Sequence, residues 1–138
     1  MNANLKHPGQ DYLGRVHYYA TYRPPYHPNL MDGLVDAIGL RPDHVIADIG
    51  CGTGLLSEPF LKNGNRVYGI EPNREMLRTA EARLGDYPGF IGIDARAEAT
   101  TLPDASVDVV AAGQAFHWFE QPQARQEFLR ILAPGGHI

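Results

Sequence analysis

Three glycines at alternate positions follow a run of apolar residues, and their spacing points to a bound ligand. The stretch is "VIADIGCGTGLL", residues 45–56. Glycines directly after a buried strand let the backbone turn tightly and come close to a ligand. A phosphate-binding loop of the Walker type would need a lysine after its last glycine, and this chain has Leu55 there. The pattern therefore excludes that class of nucleotide site.

A dinucleotide site fits the glycines poorly. The glycines stand at Gly50, Gly52 and Gly54, whereas the dinucleotide fingerprint is Gly-x-Gly-x-x-Gly. Asp48 lies at the end of the preceding strand, where its carboxylate would repel a pyrophosphate but would tolerate a cation or an amino group. An NAD-dependent oxidoreductase remains an alternative.

A second acid ends the next predicted strand. Glu71 stands one β-α-β step after the glycines, where a carboxylate can accept a hydrogen bond from each ribose hydroxyl. The alternative is a solvated carboxylate at a strand end. Taken with the glycines, Glu71 predicts a nucleoside that has a cationic or amino-bearing tail and no phosphate. S-adenosylmethionine is such a molecule.

Strands alternate with helices from residue 45 onward, which predicts an α/β doubly wound parallel sheet. The predicted strands are Val45–Gly50, Arg66–Glu71, Phe90–Asp94 and Val107–Gly113. A first helix should run from Thr53 to Asn63 and end at Gly64 and Asn65. A second, capped by Asn73, should share a face formed by Met76, Leu77, Ala80 and Leu84. The last should start near Pro122, stop at "PGG" (residues 134–136), and bury Ala124, Phe128, Ile131 and Leu132.

A tyrosine- and proline-rich segment, "HYYATYRPPYHPNL" (residues 17–30), precedes this core. Its prolines are too dense for a helix, so we expect a surface arm that either packs on the sheet or covers the ligand. A short amphipathic helix with Leu30, Leu34 and Ile38 on one face should follow. We expect one domain overall, in which residues 1–40 form the arm and helix over the cofactor site and residues 41–138 form the cofactor-binding core.

Five motifs in order resemble the class I methyltransferases that use S-adenosylmethionine. They are "ADIGCGTG", "GIEPN", "RAEATTLPDASVDVV", "AGQAFHWF" and "EFLRILAPGG". The likeness is closest to the small-molecule methyltransferases with His-Trp-Phe after the fourth strand, and it covers nearly all of residues 12–138. It implies a Rossmann-like fold, S-adenosylmethionine as cofactor, S-adenosylhomocysteine as product and a small-molecule methyl acceptor.

The resemblance also implies which residues contact the cofactor. The methionine part would be held by the first motif, through Asp48, Gly50, Gly52 and Gly54. The ribose would be held by Glu71 and the adenine flanked by Pro72, Asn73, Ala97 and Glu98. Many relatives place an aspartate where this chain has Arg96, and Asp94 is the candidate substitute.

Further roles fall on the arm and on the segment after the fourth strand. Gln114 and Ala115 would lie beneath the methionine, and Tyr22 and Arg23 would belong to the arm. Arg23 either pairs with the ligand carboxylate or is an ordinary surface arginine. His117, beside Trp118, would accept a proton from the acceptor, hydrogen-bond to it, or serve only the structure.

The family fold has seven strands, and the resemblance places the start of the fifth directly after "PGG". The sequence ends at Ile138. We therefore expect a truncated chain whose fifth strand has hardly begun, leaving strand four as a bare edge. On that expectation the chain is either a fragment of a longer enzyme, which by itself binds the cofactor without catalysis, or a truncated relative that self-associates, most simply as a homodimer through the edge.

Composition and charge limit the possible partners, the cellular compartment and the metal content. A formal net charge of −4 argues against nucleic acid as a partner. The sequence has no apolar run of membrane-spanning length and no apolar signal core, so we expect no membrane partner. Its single cysteine allows no intramolecular disulfide, which favours the cytoplasm. The six histidines have no metal-ligand spacing, so we expect no metal site.

Overall fold

A five-stranded parallel sheet lies at the centre of the structure, a computed structural model that describes residues 26–113 and 121–138. The strands are β1 (Val45–Ile49), β2 (Arg66–Ile70), β3 (Phe90–Ile93), β4 (Val107–Ala111) and β5 (Leu132–His137). The helices are α1 (Leu30–Ile38), α2 (Ser57–Lys62), α3 (Arg74–Leu84) and α4 (Gln121–Ile131).

The strand order is β3-β2-β1-β4-β5. The chain winds outward from β1 to β3 and then returns to the other side of β1 with β4, which pairs in parallel with it. This reversal makes the carboxyl ends of β1 and β4 a topological switch point, where doubly wound sheets bind ligands. The predicted doubly wound α/β fold is confirmed.

Both faces of the sheet are covered, which explains why its central strands are almost wholly apolar. One face packs on Ala124, Phe128 and Ile131 of α4. The other packs on Phe60 and Leu61 of α2, together with residues of α1 and α3. The four predicted strands are confirmed, and each ends one or two residues earlier than expected.

The predicted start of α2 was wrong. The helix begins at Ser57 rather than Thr53, because residues 51–56 form turns before the helical hydrogen bonds begin. Gly64 has the expected left-handed backbone, with φ of 98°. Asn65 does not, because its buried side chain instead donates to the carbonyl oxygens of Arg41 and His44, each at 2.8 Å.

The prediction for α3 is confirmed in detail. The side-chain oxygen of Asn73 accepts the backbone N–H of Met76 at 3.1 Å and so caps the helix. All four residues predicted for its inner face are buried, namely Met76, Leu77, Ala80 and Leu84.

The expectation that strand four would be a bare edge was wrong. Residues 132–137 form β5, which pairs in parallel with β4, so Leu132 belongs to this strand and not to α4. The "PGG" turn does not stop a helix but forms an irregularity within β5, where the paired register shifts between Val107 and Val109. Gly136 allows this because a Cβ there would lie 2.8 Å from the carbonyl oxygen of Asp108. The homodimer was expected because β4 would be an exposed edge, and β5 removes that reason. The homodimer stays an untested prediction.

The short helix α1 lies against the α2 side of the sheet. Met31, Leu34 and Ile38 are partly buried there, so the predicted face is shifted to include Met31. The arm is described only from Tyr26 onward, and the division at residue 40 stays a prediction. Within the described ranges, none of the helices has the length and apolarity that crossing a membrane requires.

Candidate functional site

The glycine turn, residues 50–54, lies at the carboxyl end of β1. Gly50, Gly52 and Gly54 all have left-handed backbones, with φ of 67°, 56° and 89°. The backbone N–H groups of Gly50 and Cys51 both donate to the carbonyl oxygen of Ile70, at 2.8 and 3.0 Å. The turn is therefore fixed to the end of β2, and its shape needs residues that adopt positive φ at low cost.

The glycines at 52 and 54 serve different purposes. A Cβ on Gly54 would lie 2.5 Å from Cδ1 of Leu84, so this glycine lets α3 pack directly against the turn. At Gly52, by contrast, none of the residues that the structure describes has an atom within 4 Å of such a Cβ. The backbone of Gly52 therefore borders a space that a ligand can approach.

Arg83 of α3 supports the turn from behind. Its Nη1 donates to the carbonyl oxygen of Thr53 at 2.6 Å, and its Nη2 donates to the carboxylate of Glu58 at 3.1 Å. A single guanidinium thus joins the turn, α2 and α3. No feature of the sequence predicted this contact, since an arginine on a helix is usually solvated.

Glu71 is buried, with 7% of its surface exposed, so the alternative of a solvated carboxylate was wrong. Its Oε1 accepts the N–H of Gly52 at 3.0 Å, and its Oε2 accepts the N–H of Asn73 at 2.9 Å. Burial raises the pKa of Glu71, while these two hydrogen bonds oppose that rise. Each carboxylate oxygen keeps a further lone pair that can accept a hydroxyl.

Asp48 is a second buried carboxylate in the same region. It is 1% exposed, and the hydroxyl of Ser57 donates to its Oδ2 at 2.6 Å. Burial raises its pKa to about 7, and the nearby charge of Glu71 also acts in that direction. Two acids thus lie around the glycine turn, which favours a ligand carrying positive charge and disfavours one carrying phosphate.

The residues predicted for the adenine side lie after β2 and β3. Pro72 is exposed, and Asn73 is buried with its side-chain oxygen in the α3 cap. Ala97 and Glu98 are the two central residues of a tight turn, residues 96–99, in which the N–H of Ala99 donates to the carbonyl oxygen of Arg96 at 3.1 Å. Ala97 is buried, and the carboxylate of Glu98 lies 3.5 Å from Nε of Arg96.

Asp94, the candidate substitute for the missing aspartate, has a partner on α3. Nε of Arg74 donates to its Oδ2 at 2.9 Å, and both side chains are largely exposed. An exposed ion pair of this kind contributes little to stability, about 0–1 kcal/mol. Asp94 is therefore oriented by Arg74 at the carboxyl end of β3, and its ion pair contributes little to the stability of the fold.

Tyr26 and Cys51 complete the described surroundings. The Tyr26 hydroxyl comes so close to Gly113, after β4, that a side chain at that position would collide with it. The many tyrosines of the arm indicated that one of them could contact the site, but their spacing did not show that it would be Tyr26. Cys51 is buried, which raises the pKa of its thiol and agrees with a small packing residue in the turn.

Several predicted residues lie outside the described ranges. They are Tyr22, Arg23, Gln114, Ala115, His117 and Trp118. Within residues 26–113 and 121–138, no group of three or more His, Cys, Asp or Glu side chains is placed to hold a metal ion.

The chain is similar in sequence and in fold to known methyltransferases. The family model of the methyltransferase domain matches residues 47–138. An uncharacterised methyltransferase of Mycobacterium bovis is 36% identical over 120 residues, which is 87% of this chain and 46% of that protein.

Two solved structures share both fold and sequence with the chain. One, from Anaeromyxobacter dehalogenans and assigned as a type II methyltransferase, has a TM-score of 0.71 and 34% identity over 83% of this chain and 46% of that one. The other, from Anabaena variabilis and assigned as a methyltransferase of an antibiotic biosynthesis pathway, has a TM-score of 0.67 and 33% identity over 75% and 41%.

The chain spans about half the length of the curated relatives it matches. Its match to the family model extends from β1 to the last residue and so includes the glycine turn, Glu71 and the 96–99 turn. The chain therefore belongs to the methyltransferase domain family, and its fold is that of the class I S-adenosylmethionine-dependent methyltransferases.

Proposed function

We propose that this chain binds S-adenosylmethionine and forms the cofactor-binding part of a methyltransferase that acts on a small-molecule acceptor. The observation that carries the proposal is the arrangement of two buried carboxylates, Asp48 and Glu71, around a left-handed glycine turn at the switch point of the sheet. The family to which the chain belongs supports the same cofactor.

The glycine turn and Asp48 would hold the methionine part of the cofactor. The backbone of Gly52 borders open space, so a ligand can approach it to contact distance. The amino group and the sulfonium of S-adenosylmethionine are cations, and a carboxylate in a buried site attracts a cation more strongly than it would in water. Gly50 and Gly54 keep the turn in the shape that leaves this space open.

Glu71 and the 96–99 turn would hold the nucleoside. The two N–H donors bonded to Glu71 orient its carboxylate, and the remaining lone pairs are free to accept the ribose hydroxyls. Ala97 and Glu98 would contact the adenine from the 96–99 turn, with Pro72 and Asn73 on the β2 side and Asp94 at the rim.

The cofactor supplies a methyl group already activated on a sulfonium, so the protein mainly contributes position, alignment and exclusion of water. Gln114 and Ala115 would lie beneath the methionine, while Tyr22 and Arg23 would close over it from the arm. Tyr26 supports this role for the arm, because its hydroxyl lies close to Gly113, two residues after β4. His117 would accept a proton from the acceptor or hydrogen-bond to it.

Two observations favour a small-molecule acceptor. The chain has His-Trp-Phe at residues 117–119, the motif of the small-molecule subgroup that it resembles. The related Anabaena protein is assigned to an antibiotic biosynthesis pathway, and we take this as support for a small-molecule acceptor here. The alternative is a chain that binds the cofactor without turning it over.

Calorimetry with S-adenosylhomocysteine, S-adenosylmethionine and NAD tests the proposal. We expect the adenosyl ligands to bind with Kd of about 10⁻³ to 10⁻⁶ M and NAD to bind more weakly. NAD binding without any response to the adenosyl ligands would overturn the proposal in favour of an oxidoreductase. An assay of methyl transfer to small carboxylic acids and phenols then separates an enzyme from a binding protein, since only an enzyme gives methylated product.

Gly52→Ala should weaken S-adenosylhomocysteine binding about tenfold or more, because the added methyl group enters the space next to the turn. Gly39→Ala is the matched control. Gly39 also has positive φ, at 68°, and no described residue lies within 4 Å of its Cβ position, but it ends α1 away from the turn. Both variants should lose about 1–2 kcal/mol of unfolding free energy to backbone strain. Equal affinities in the two variants would contradict a ligand at Gly52.

Glu71→Ala should cost about 1.5–3 kcal/mol of S-adenosylhomocysteine affinity, the size of hydrogen bonds to a charged group. Because the N–H groups of Gly52 and Asn73 also lose their acceptor, unfolding free energy should fall by about 1–3 kcal/mol. Glu75→Ala, an exposed change in the first turn of α3, should alter neither quantity. A folded Glu71→Ala variant with unchanged affinity would show that Glu71 serves the fold alone.

Affinity for S-adenosylhomocysteine should rise between about pH 5.5 and pH 7, by up to about tenfold per pH unit. The free protein holds Asp48 largely protonated in this range because its pKa is raised to about 7, and a ligand cation favours the ionised form. The folding stability of the free protein should change with pH in the opposite direction. A carboxyl group whose pKa is raised by folding stabilises the protein most at a pH below its ordinary pKa, and this contribution is lost as the pH rises toward 7. This dependence of affinity on pH should disappear in the Asp48→Asn variant. If it persists there, a group other than Asp48 is responsible for it.

A further inference from the structure

A charged residue is buried in α4, far along the chain from the glycine turn. Glu127 is 8% exposed, and its Oε2 accepts both the backbone N–H and the hydroxyl of Thr100, each at 2.7 Å. Its Oε1 accepts Nε of Arg130, also at 2.7 Å. A carboxylate buried in this way is costly unless it is fully paired, and here it is. The pairing lowers the pKa of Glu127 to about 2, mainly through Arg130.

Arg130 extends the contact to the other side of the same loop. Its Nη2 donates to the carbonyl oxygen of Leu102 at 2.6 Å, and its Nη1 lies 2.5 Å from the carboxylate of Asp104. The Glu127–Arg130 pair therefore binds the loop immediately before and immediately after Thr101.

Thr101 has an unfavourable backbone. Its φ is 68°, in the left-handed region that a β-branched residue seldom adopts. Backbone strain of this kind persists only where neighbouring contacts over-determine the conformation. The contacts on Thr100 and Leu102 provide that constraint, so the strain at Thr101 depends on α4.

The restrained segment adjoins the 96–99 turn. Thr100 follows the turn directly, and Ala97 and Glu98 are its central residues. Two backbone contacts attach the same loop to α4 without these side chains, since the N–H groups of Ala105 and Ser106 donate to the carbonyl oxygens of Arg130 and Ile131. Removing the side-chain contacts should therefore free the segment around Thr100 while the loop stays attached further on.

We propose that Glu127 and Arg130 are positioning residues for adenine recognition. By holding Thr100 and Leu102, the pair fixes the 96–99 turn in the one arrangement that fits the adenine base. This inference rests on the proposed function, and it extends the site to a helix that does not touch the ligand. A purely structural ion pair is the competing explanation, and it would affect the binding of any nucleoside ligand alike.

The test compares S-adenosylhomocysteine with S-inosylhomocysteine, in which a carbonyl replaces the adenine amino group. The wild-type chain should prefer the adenosyl ligand by about tenfold or more, an energy of about one hydrogen bond. Glu127→Ala should remove most of this preference. Thr100→Val keeps the side-chain shape but removes the hydroxyl that donates to Glu127 and accepts the N–H of Leu102, so it should remove part of the preference, and Thr100→Ser should restore it. Arg125→Gln, an exposed change on the same helix, is the control and should leave the preference unchanged.

Every outcome either supports or contradicts the positioning role of Glu127 and Arg130. If Glu127→Ala does not fold, the comparison is made with Thr100→Val. Variants that bind both ligands more weakly but with the wild-type preference would overturn the inference in favour of a structural pair. A wild-type chain that binds both ligands equally would also overturn it, because the 96–99 turn would then not distinguish the base. A wild-type chain that binds neither ligand would instead refute the proposed function.

Discussion

The carboxylate of Glu71 accepts a backbone N–H from each of the first two β-α connections, and the geometry of the site depends on this double contact. One N–H belongs to Gly52 in the glycine turn, and the other belongs to Asn73 at the start of α3. The N–H groups of Gly50 and Gly54 donate to the backbone carbonyl oxygens of Ile70 and Cys51, and Glu71 supplies the acceptor for the N–H of Gly52. A residue that is expected to bind a ribose thus also fixes the loop expected to bind the methionine.

This arrangement has an electrostatic cost. Asp48 and Glu71 are both buried, and desolvation raises the pKa of each. Without a cationic partner, burial and the charge of Glu71 oppose the ionisation of Asp48, so the stability that its raised pKa gives at low pH is lost as the pH rises toward 7. A site that is destabilised in this way recovers the lost energy when a ligand brings positive charge, which makes charge a basis for selecting the ligand.

The sequence was most informative where local rules govern the structure. The strands, the α3 cap at Asn73 and the positive φ of the glycines follow from apolar runs, capping chemistry and backbone sterics within a few residues. The part of the site that was missed depends on contacts between distant residues. Glu127 resembles any solvated glutamate on a helix until Thr100 and Arg130 are brought to it by the fold. The same reason explains β5, because the "PGG" turn breaks helical and extended patterns alike, and only the neighbouring β4 shows that a strand resumes at His137.

The contacts of the glycine turn also set an order in time. Those that shape it come from Ile70, Glu71, Arg83 and Leu84, so they are all available once the chain has been made as far as the end of α3. Thr100 and Leu102, which follow the 96–99 turn, by contrast wait for Glu127 and Arg130. Since chains fold from the amino end as they are synthesised, the half of the site assigned to methionine and ribose can organise before the half assigned to the base. During that interval a nascent chain would lack the contacts that we propose for selecting the base.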